Sequence, residues 1–167
     1  MKKLLIYLLL AAMILSFVAC TENSDSSGEE EKTYTFTSGT TKIAIHDDAA
    51  PILAALGEWR DYDESPSCAF EGLDKVYTYA GFEIQTYPTG EKDFVYLIEL
   101  YDDTVATEKG IRIGDTKEAV IAAYGAPDKQ ESTYLNYNAT DMYLEFHLAD
   151  GIVTSIQYCH PKANTQS

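Results

Sequence analysis

Two stretches of this chain, 68 residues apart, carry the same pattern, and that internal repeat limits the folds open to it. Asp47-Asp48-Ala49-Ala50-Pro51-Ile52-Leu53-Ala54-Ala55-Leu56-Gly57 aligns with Asp115-Thr116-Lys117-Glu118-Ala119-Val120-Ile121-Ala122-Ala123-Tyr124-Gly125. The leading acid, the apolar pairs Ile52-Leu53 and Val120-Ile121, the Ala-Ala step and the closing glycine coincide. Each stretch reads as a short amphipathic helix. Asp115 and Glu118 have the spacing of a capping box, in which an acid accepts the orphan N–H groups of the first turn. Val120, Ala123 and Tyr124 then share one helical face, as do Ile52, Ala55 and Leu56. Pro51 is tolerated because it falls in the first turn. Gly57 and Gly125 stand where a helix stops in the left-handed conformation. Helices of about three turns are marginal alone and depend on packing.

Strand patterns follow each helix. In the first copy they cover 75–79, 82–87 and 94–101, with turns at Ala80-Gly81 and at Pro88-Thr89-Gly90. In the second copy they cover 134–137, 142–148 and 152–158. Met142, Leu144, Phe146 and Leu148 alternate with Tyr143, Glu145 and His147, the period of a half-buried strand. Ala149-Asp150-Gly151 is a tight hairpin signal. Residues 33–37 and 42–46 flank Ser38-Gly39-Thr40 and add an opening hairpin. The expected fold class is α+β: two tandem helix-plus-antiparallel-meander repeats, with both helices packed on one face of the β-sheet. The repeats occupy 33–105 and 106–162, with a tail at 163–167.

The run from Gly110 to Val120 (Gly-Ile-Arg-Ile-Gly-Asp-Thr-Lys-Glu-Ala-Val), ending in Tyr124-Gly125-Ala126-Pro127, resembles the opening of the SmpA/OmlA (BamE-like) small lipoprotein domain. A tandem of such units resembles the β-lactamase-inhibitor-protein-like architecture. Ser67-Cys68-Ala69-Phe70 and residues 74–86 are similar to segments of lipoproteins from clostridia-type gut bacteria. Copy one departs from the motif, with Trp59 where copy two has Pro127. The resemblance implies a binding or scaffold module and carries over no catalytic residue.

The N-terminus points the same way. Lys2 and Lys3 precede an apolar run over 4–17 of signal-peptide length. Phe17-Val18-Ala19-Cys20 resembles a lipobox, with Phe17 in place of the usual Leu. Residues 1–19 then form a lipoprotein signal peptide, and Cys20 is the lipidated first residue. The alternatives are an ordinary cleaved signal or an uncleaved anchor, for which the run is short of the roughly 20 residues a spanning helix needs. Residues 21–32 (TENSDSSGEEEK) hold no apolar residue and read, with Cys20, as a flexible acidic tether over 20–32. This places the protein on the extracytoplasmic face of the cell membrane, anchored by lipid. Two cysteines remain, Cys68 and Cys159. In that compartment they suggest one disulfide, the alternative being two separate thiols.

The net charge is −15 and the only arginines are Arg60 and Arg112, so no basic stripe exists to neutralise phosphates. Nucleic acid is therefore not an expected partner. Anionic headgroups are not either, so the acyl chains carry the anchoring. There is no Gly-x-Ser-x-Gly, no His-Glu-x-x-His and no phosphate-binding glycine loop. No cofactor or metal is expected. Asp61, Asp63 and Glu64, like Asp102 and Asp103, lack the spacing of a calcium loop and read as solvated loops. His46 reads as a strand-end group beside a helix cap, and His160 as tail. Glu145 and His147, two residues apart on one strand face, could meet a ligand, metal or substrate together. That is the alternative reading, as receptor or enzyme. The 13 tyrosines weigh more, because tyrosine joins a large contact area to a polar tip. Tyr77, Tyr79 and Tyr87, with Trp59 and Tyr62, are expected to line one concave sheet face. The expected function is a non-catalytic module that binds an envelope or secreted protein through that face.

Overall fold

Two short helices are set among strands of two antiparallel sheets. β1 (Thr35–Ser38) and β2 (Thr41–Ala44) precede α1 (Ala49–Leu56), which leads into β3 (Asp61–Pro66), β4 (Leu73–Thr78), β5 (Phe82–Thr89) and β6 (Lys92–Leu100). Then come α2 (Lys117–Tyr124), β7 (Lys129–Gln130), β8 (Tyr134–Asn138), β9 (Tyr143–Ala149) and β10 (Ile152–Cys159). This is a computed structural model in which residues 32–162 are described. They fall in one compact unit, Glu31–Ser167. The expected signal peptide, Cys20, tether residues 20–31 and the tail at 163–167 lie outside the described residues.

The expected fold class is corrected by this architecture. The molecule is mostly β, not α+β built of two helix-plus-meander repeats. β1 and β2 form a two-stranded sheet, and the other eight strands form one antiparallel sheet in the order β3-β4-β5-β6-β10-β9-β8-β7. Each helix has only eight residues, about two turns. That is too short to bury a stripe: α1 buries Ala49 and Ile52, and α2 buries only Val120. The strands supply the core instead, with Tyr137, Tyr158, Phe146, Ile84, Ile98, Leu100, Leu135 and Leu144 all fully buried. β3 and β7 extend the sheet at its two edges through residues that read as loops in the sequence.

The two meanders join where β6 meets β10: Leu100 faces Ile156, Glu99 faces Gln157, Ile98 faces Tyr158 and Leu97 faces Cys159. Because side chains alternate with a period of two, this register fixes both faces at once. One face carries Tyr77, Ile84, Ile98, Leu100, Ile156, Tyr158, Leu144 and Phe146, and it packs under the hairpin and the helices as a single cluster with Phe36, Ile43, Ile52 and Val120. The other face carries Glu83, Gln85, Leu97, Glu99, Gln157, Cys159, Glu145 and Asn136.

The 68-residue offset persists in the local bonds at the helix starts. Asp47 Oδ2 accepts from the Ala44 N–H at 2.8 Å, and Asp115 Oδ2 accepts from the Arg112 N–H at 2.7 Å. Asp115 is therefore not the cap that the sequence suggests. The caps are the next residues: Asp48 accepts from Ala50 N–H and Thr116 from Ala119 N–H. The turns before them also match. His46 N–H bonds to Val95 and Gly114 N–H to Val153, each at 2.9 Å. Gly114 takes φ +92° there, and His46 takes φ +72°, a left-handed conformation uncommon for a residue with a Cβ.

Phe146 sits at the centre of the core, with Tyr124 and Tyr137 ring centroids at 5.2 and 5.9 Å. Phe146→Ala is expected to lower the unfolding free energy by about 3–5 kcal/mol in urea titrations. Ile152→Ala on the exposed start of β10 is expected to change it by less than about 0.5 kcal/mol. Equal effects would contradict the assigned register.

Candidate functional site

The five aromatic residues expected on one face are divided by the sheet. Tyr77 and Tyr79 point into the core and are only 7% and 6% exposed. Burial raises both hydroxyl pKa values. Tyr87 follows Thr86, which is buried on the core face with Ile84, so Tyr87 belongs to the opposite face. Trp59 and Tyr62 remain at the surface, 45% and 39% exposed. The single concave tyrosine face is thus replaced by two aromatic groups, one on each side of the sheet.

The first group lies at the β3 edge. Tyr62 on β3 is paired with Tyr77 on β4, and their ring centroids are 5.2 Å apart. Trp59 packs edge-on against Tyr77 at 5.2 Å and lies 6.1 Å from Tyr62. Tyr77 thereby anchors the two exposed rings from below. A cavity of about 570 Å³ opens beside them, lined by Leu53, Ala54, Gly57, Glu58 and Trp59. The Tyr62 hydroxyl donates to Glu64 Oε2 at 2.6 Å, and loss of that bond on ionisation pushes the tyrosine pKa up to about 12. All six residues of β3 are exposed, and among the described residues β4 is its only strand partner.

The second group surrounds His160. Phe70 stacks on Tyr87 at 4.3 Å, Tyr96 stacks on His160 at 5.3 Å, and the His46 ring approaches His160 to 4.7 Å. His46 Nε2 donates to the Asp141 carbonyl at 3.0 Å, leaving Nδ1 to accept from the Tyr87 hydroxyl at 3.3 Å. His160 Nδ1 accepts from the Lys162 N–H at 3.0 Å. His160 lies just beyond β10, and its N–H bonds to the Tyr96 carbonyl at 2.9 Å, so it is packed against the sheet and is not part of a tail. Burial first, then the neighbouring His46 and Lys162, lowers its pKa to about 4, against a weak opposing pull from Asp141. A cavity of about 260 Å³ lies beside His46.

Glu145 and His147 do meet. His147 Nε2 lies 3.1 Å from Glu145 Oε1 and 3.3 Å from Gln157 Oε1, so that nitrogen carries the proton. Asn136 Nδ2 donates to Glu145 Oε2 at 3.1 Å. Glu145 is only 8% exposed. Burial pushes its pKa up, but the bonds from His147 and Asn136 outweigh this and leave it lowered. The Glu145 bond raises His147 in turn. Every one of these oxygens is partnered within the sheet, which is how a buried carboxylate is tolerated. The i, i+2 spacing made the pair visible in the sequence. Asn136 and Gln157 come from neighbouring strands and had no such signal.

Cys68 and Cys159 are both free, which corrects the suggested disulfide. Cys159 is buried in the middle of the sheet between Leu97 and Tyr143, and Cys68 is exposed in the loop after β3. Burial pushes the Cys159 thiol up to about 12, so it is inert. Among the described residues, no group of three or more His, Cys, Asp or Glu side chains is placed to hold a metal ion. Asp102 closes a turn by accepting from the Thr104 N–H at 2.8 Å. No helix among them is long and apolar enough to cross a membrane.

No known family's model matches this sequence, and no curated protein matches it. Among solved structures, the chain is similar to an extracellular protein containing an SCP domain from Bacillus anthracis str. Ames, at 13% identity and a TM-score of 0.45. The match covers 81% of this chain and 51% of that one, so this chain spans about half that protein's length.

The histidines give a pH prediction. His160 has a folded pKa near 4 and an ordinary value of 6.5, so below pH 6.5 the unfolded chain binds the extra proton. Its contribution to stability is present above pH 6.5 and is lost as pH falls toward 4. His147 has a raised folded pKa, so its contribution is full below 6.5 and is lost as pH rises through that raised value. Urea unfolding at a series of pH values is expected to show a fall between 6.5 and 4 that shrinks in His160→Phe. An unchanged slope in that variant would contradict the assignment.

Proposed function

We propose that the protein is a lipid-anchored, extracytoplasmic lipoprotein that acts as a non-catalytic protein-binding module. Cys20 carries the anchor, and the acidic segment 20–32 serves as the tether. One observation carries the binding reading: Trp59 and Tyr62 stand exposed over the buried ring of Tyr77, beside a strand whose six residues are all open to solvent. Large aromatic rings held rigidly at a surface supply most of the energy in recognition hot spots. The adjoining cavity, lined by Leu53, Ala54, Gly57, Glu58 and Trp59, offers a recess for a partner's side chain.

A second reading makes the Glu145–His147 face a receptor or reactive site for a small ligand or metal. Its support is the short contact between a buried carboxylate and an imidazole that it raises. Such perturbed pairs recur at functional sites, although structural networks produce them too.

The two readings separate in one experiment. The full chain in detergent is used as bait against the solubilised envelope and the culture supernatant of its own host. A specific partner is expected, with binding weakened at least about tenfold by Trp59→Ala or Tyr62→Ala and unchanged by Glu145→Gln. Loss of binding in Glu145→Gln alone would favour the second reading. Cys20→Ser is expected to move the protein from the membrane to the soluble fraction. Persistent membrane retention in that variant would overturn the lipid anchor.

A further inference from the structure

We infer that the outer edge of β3 is a strand-addition site for an extended, basic segment of a partner protein. The inference rests on the binding-module reading and names the chemistry of the partner. β3 is the terminal strand of the eight-stranded sheet and, among the described residues, pairs only with β4. A terminal strand presents backbone groups that can template another strand. In β3 the Tyr62 N–H bonds to Asp61 Oδ1 at 2.9 Å and Pro66 has no N–H, so the edge offers its carbonyls and the Glu64 N–H. At the opposite edge β7 is two residues long and offers little to pair with. β3 has six residues, every one exposed.

The side chains of β3 define what fits. Tyr62 and Glu64 share the face of Tyr77 and Lys75, and Asp61 and Asp63 share the other, opposite Thr78 and Val76. Lys75 is engaged by Asp93 at 2.6 Å, and none of Asp61, Asp63 and Glu64 enters an ion pair among the described residues. Three carboxylates along one edge repel another acidic strand and attract a basic one. A second copy of this chain would set Asp61, Asp63 and Glu64 against their own kind. The chain's own tether is equally unsuited, since Glu22, Asp25, Glu29, Glu30 and Glu31 make it acidic. The same charges that blunt self-association therefore select an oppositely charged segment.

Alternation then sets the partner's pattern. On one face its side chains meet Asp61 and Asp63, which favours Lys or Arg. On the other they meet Tyr62, beside Trp59 and the cavity of about 570 Å³, where an apolar residue fits, and Glu64, whose carboxylate is held by the Tyr62 hydroxyl. The fitting segment alternates basic and apolar residues.

Trp59 is the only tryptophan, so its fluorescence reports directly from this edge. The full chain is titrated with an acetylated, amidated eight-residue peptide of alternating lysine and valine. A second peptide has the same sequence with every backbone amide N-methylated, and a third alternates glutamate and valine. The lysine–valine peptide is expected to bind with a Trp59 fluorescence change. The methylated peptide is expected to bind at least about tenfold more weakly, and the glutamate–valine peptide not at all. The double variant Asp61→Lys, Asp63→Lys is expected to reverse the preference between the two charged peptides. Equal binding of the methylated peptide would overturn strand addition and leave an electrostatic contact. No response to the lysine–valine peptide would overturn it as well. Neither result touches the binding-module reading, which stands or falls on capture by the Trp59→Ala and Tyr62→Ala variants.

Discussion

The pairing of β6 with β10 is the constraint on which the rest of this structure depends. Four residue pairs, Leu100–Ile156 to Leu97–Cys159, join a strand from the middle of the chain to its last strand. Without them there are two four-stranded meanders, each with an extra open edge. With them there is one sheet, and a slip of a single residue at this junction would turn Ile98, Leu100, Ile156 and Tyr158 out of the core and Glu99 and Gln157 into it. The contact is non-local and therefore entropically costly to close. Burial of four large side chains at the junction offsets that cost, each contributing roughly 1.5–3 kcal/mol.

Fixing the junction also fixes what is left over. The face away from the helices carries the Asn136–Glu145–His147–Gln157 network, in which the Glu145–His147 pair on β9 is flanked by Asn136 from β8 and Gln157 from β10. The sheet ends at β3, where the partners run out. Trp59, Tyr62 and the carboxylates of β3 are exposed because nothing further pairs with that strand among the described residues. The ring cluster around His160 closes another rim, holding residues 160–162 against Tyr96 and Phe70. His46 accepts a left-handed backbone there, where the equivalent turn uses Gly114, and its ring bridges Tyr87 and Asp141. A strained residue kept in a bridging role is held by the contacts around it.

Much of this was legible in the sequence where physics is local. The alternation of Met142, Leu144, Phe146 and Leu148 put β9 in place, Ala149-Asp150-Gly151 marked its hairpin, and Gly57 and Gly125 marked the helix ends. The failures were failures of long-range information. Asp61–Pro66 has no alternating apolar pattern and is a strand only because β4 pairs with it, so it read as a solvated loop. Tyr77 and Tyr79 were expected on an exposed concave face with Tyr87, but both lie in the core. Nothing in their spacing says the face is the core, and Tyr87 lies on the other side because β5 enters the sheet with Ile84 and Thr86 inward. The fold class failed for a related reason. Helices of eight residues carry the right pattern, but the area they bury is small beside that of the strands, so the sheet dominates the architecture. The cap was misassigned by one residue because Asp115 turns back to Arg112 and leaves Thr116 to take the helix N–H.

The most direct measurement is residue-resolved native-state hydrogen exchange on the full chain. If β6 and β10 hold the molecule together and β3 is an open edge, the amides of Ile98, Leu100, Ile156 and Tyr158 exchange only through global unfolding. Those of Tyr62 to Ser65 then exchange orders of magnitude faster, through local opening. Protection in β3 equal to that in β6 would mean that the edge is covered in solution, and would contradict both the open strand and the surface built on it.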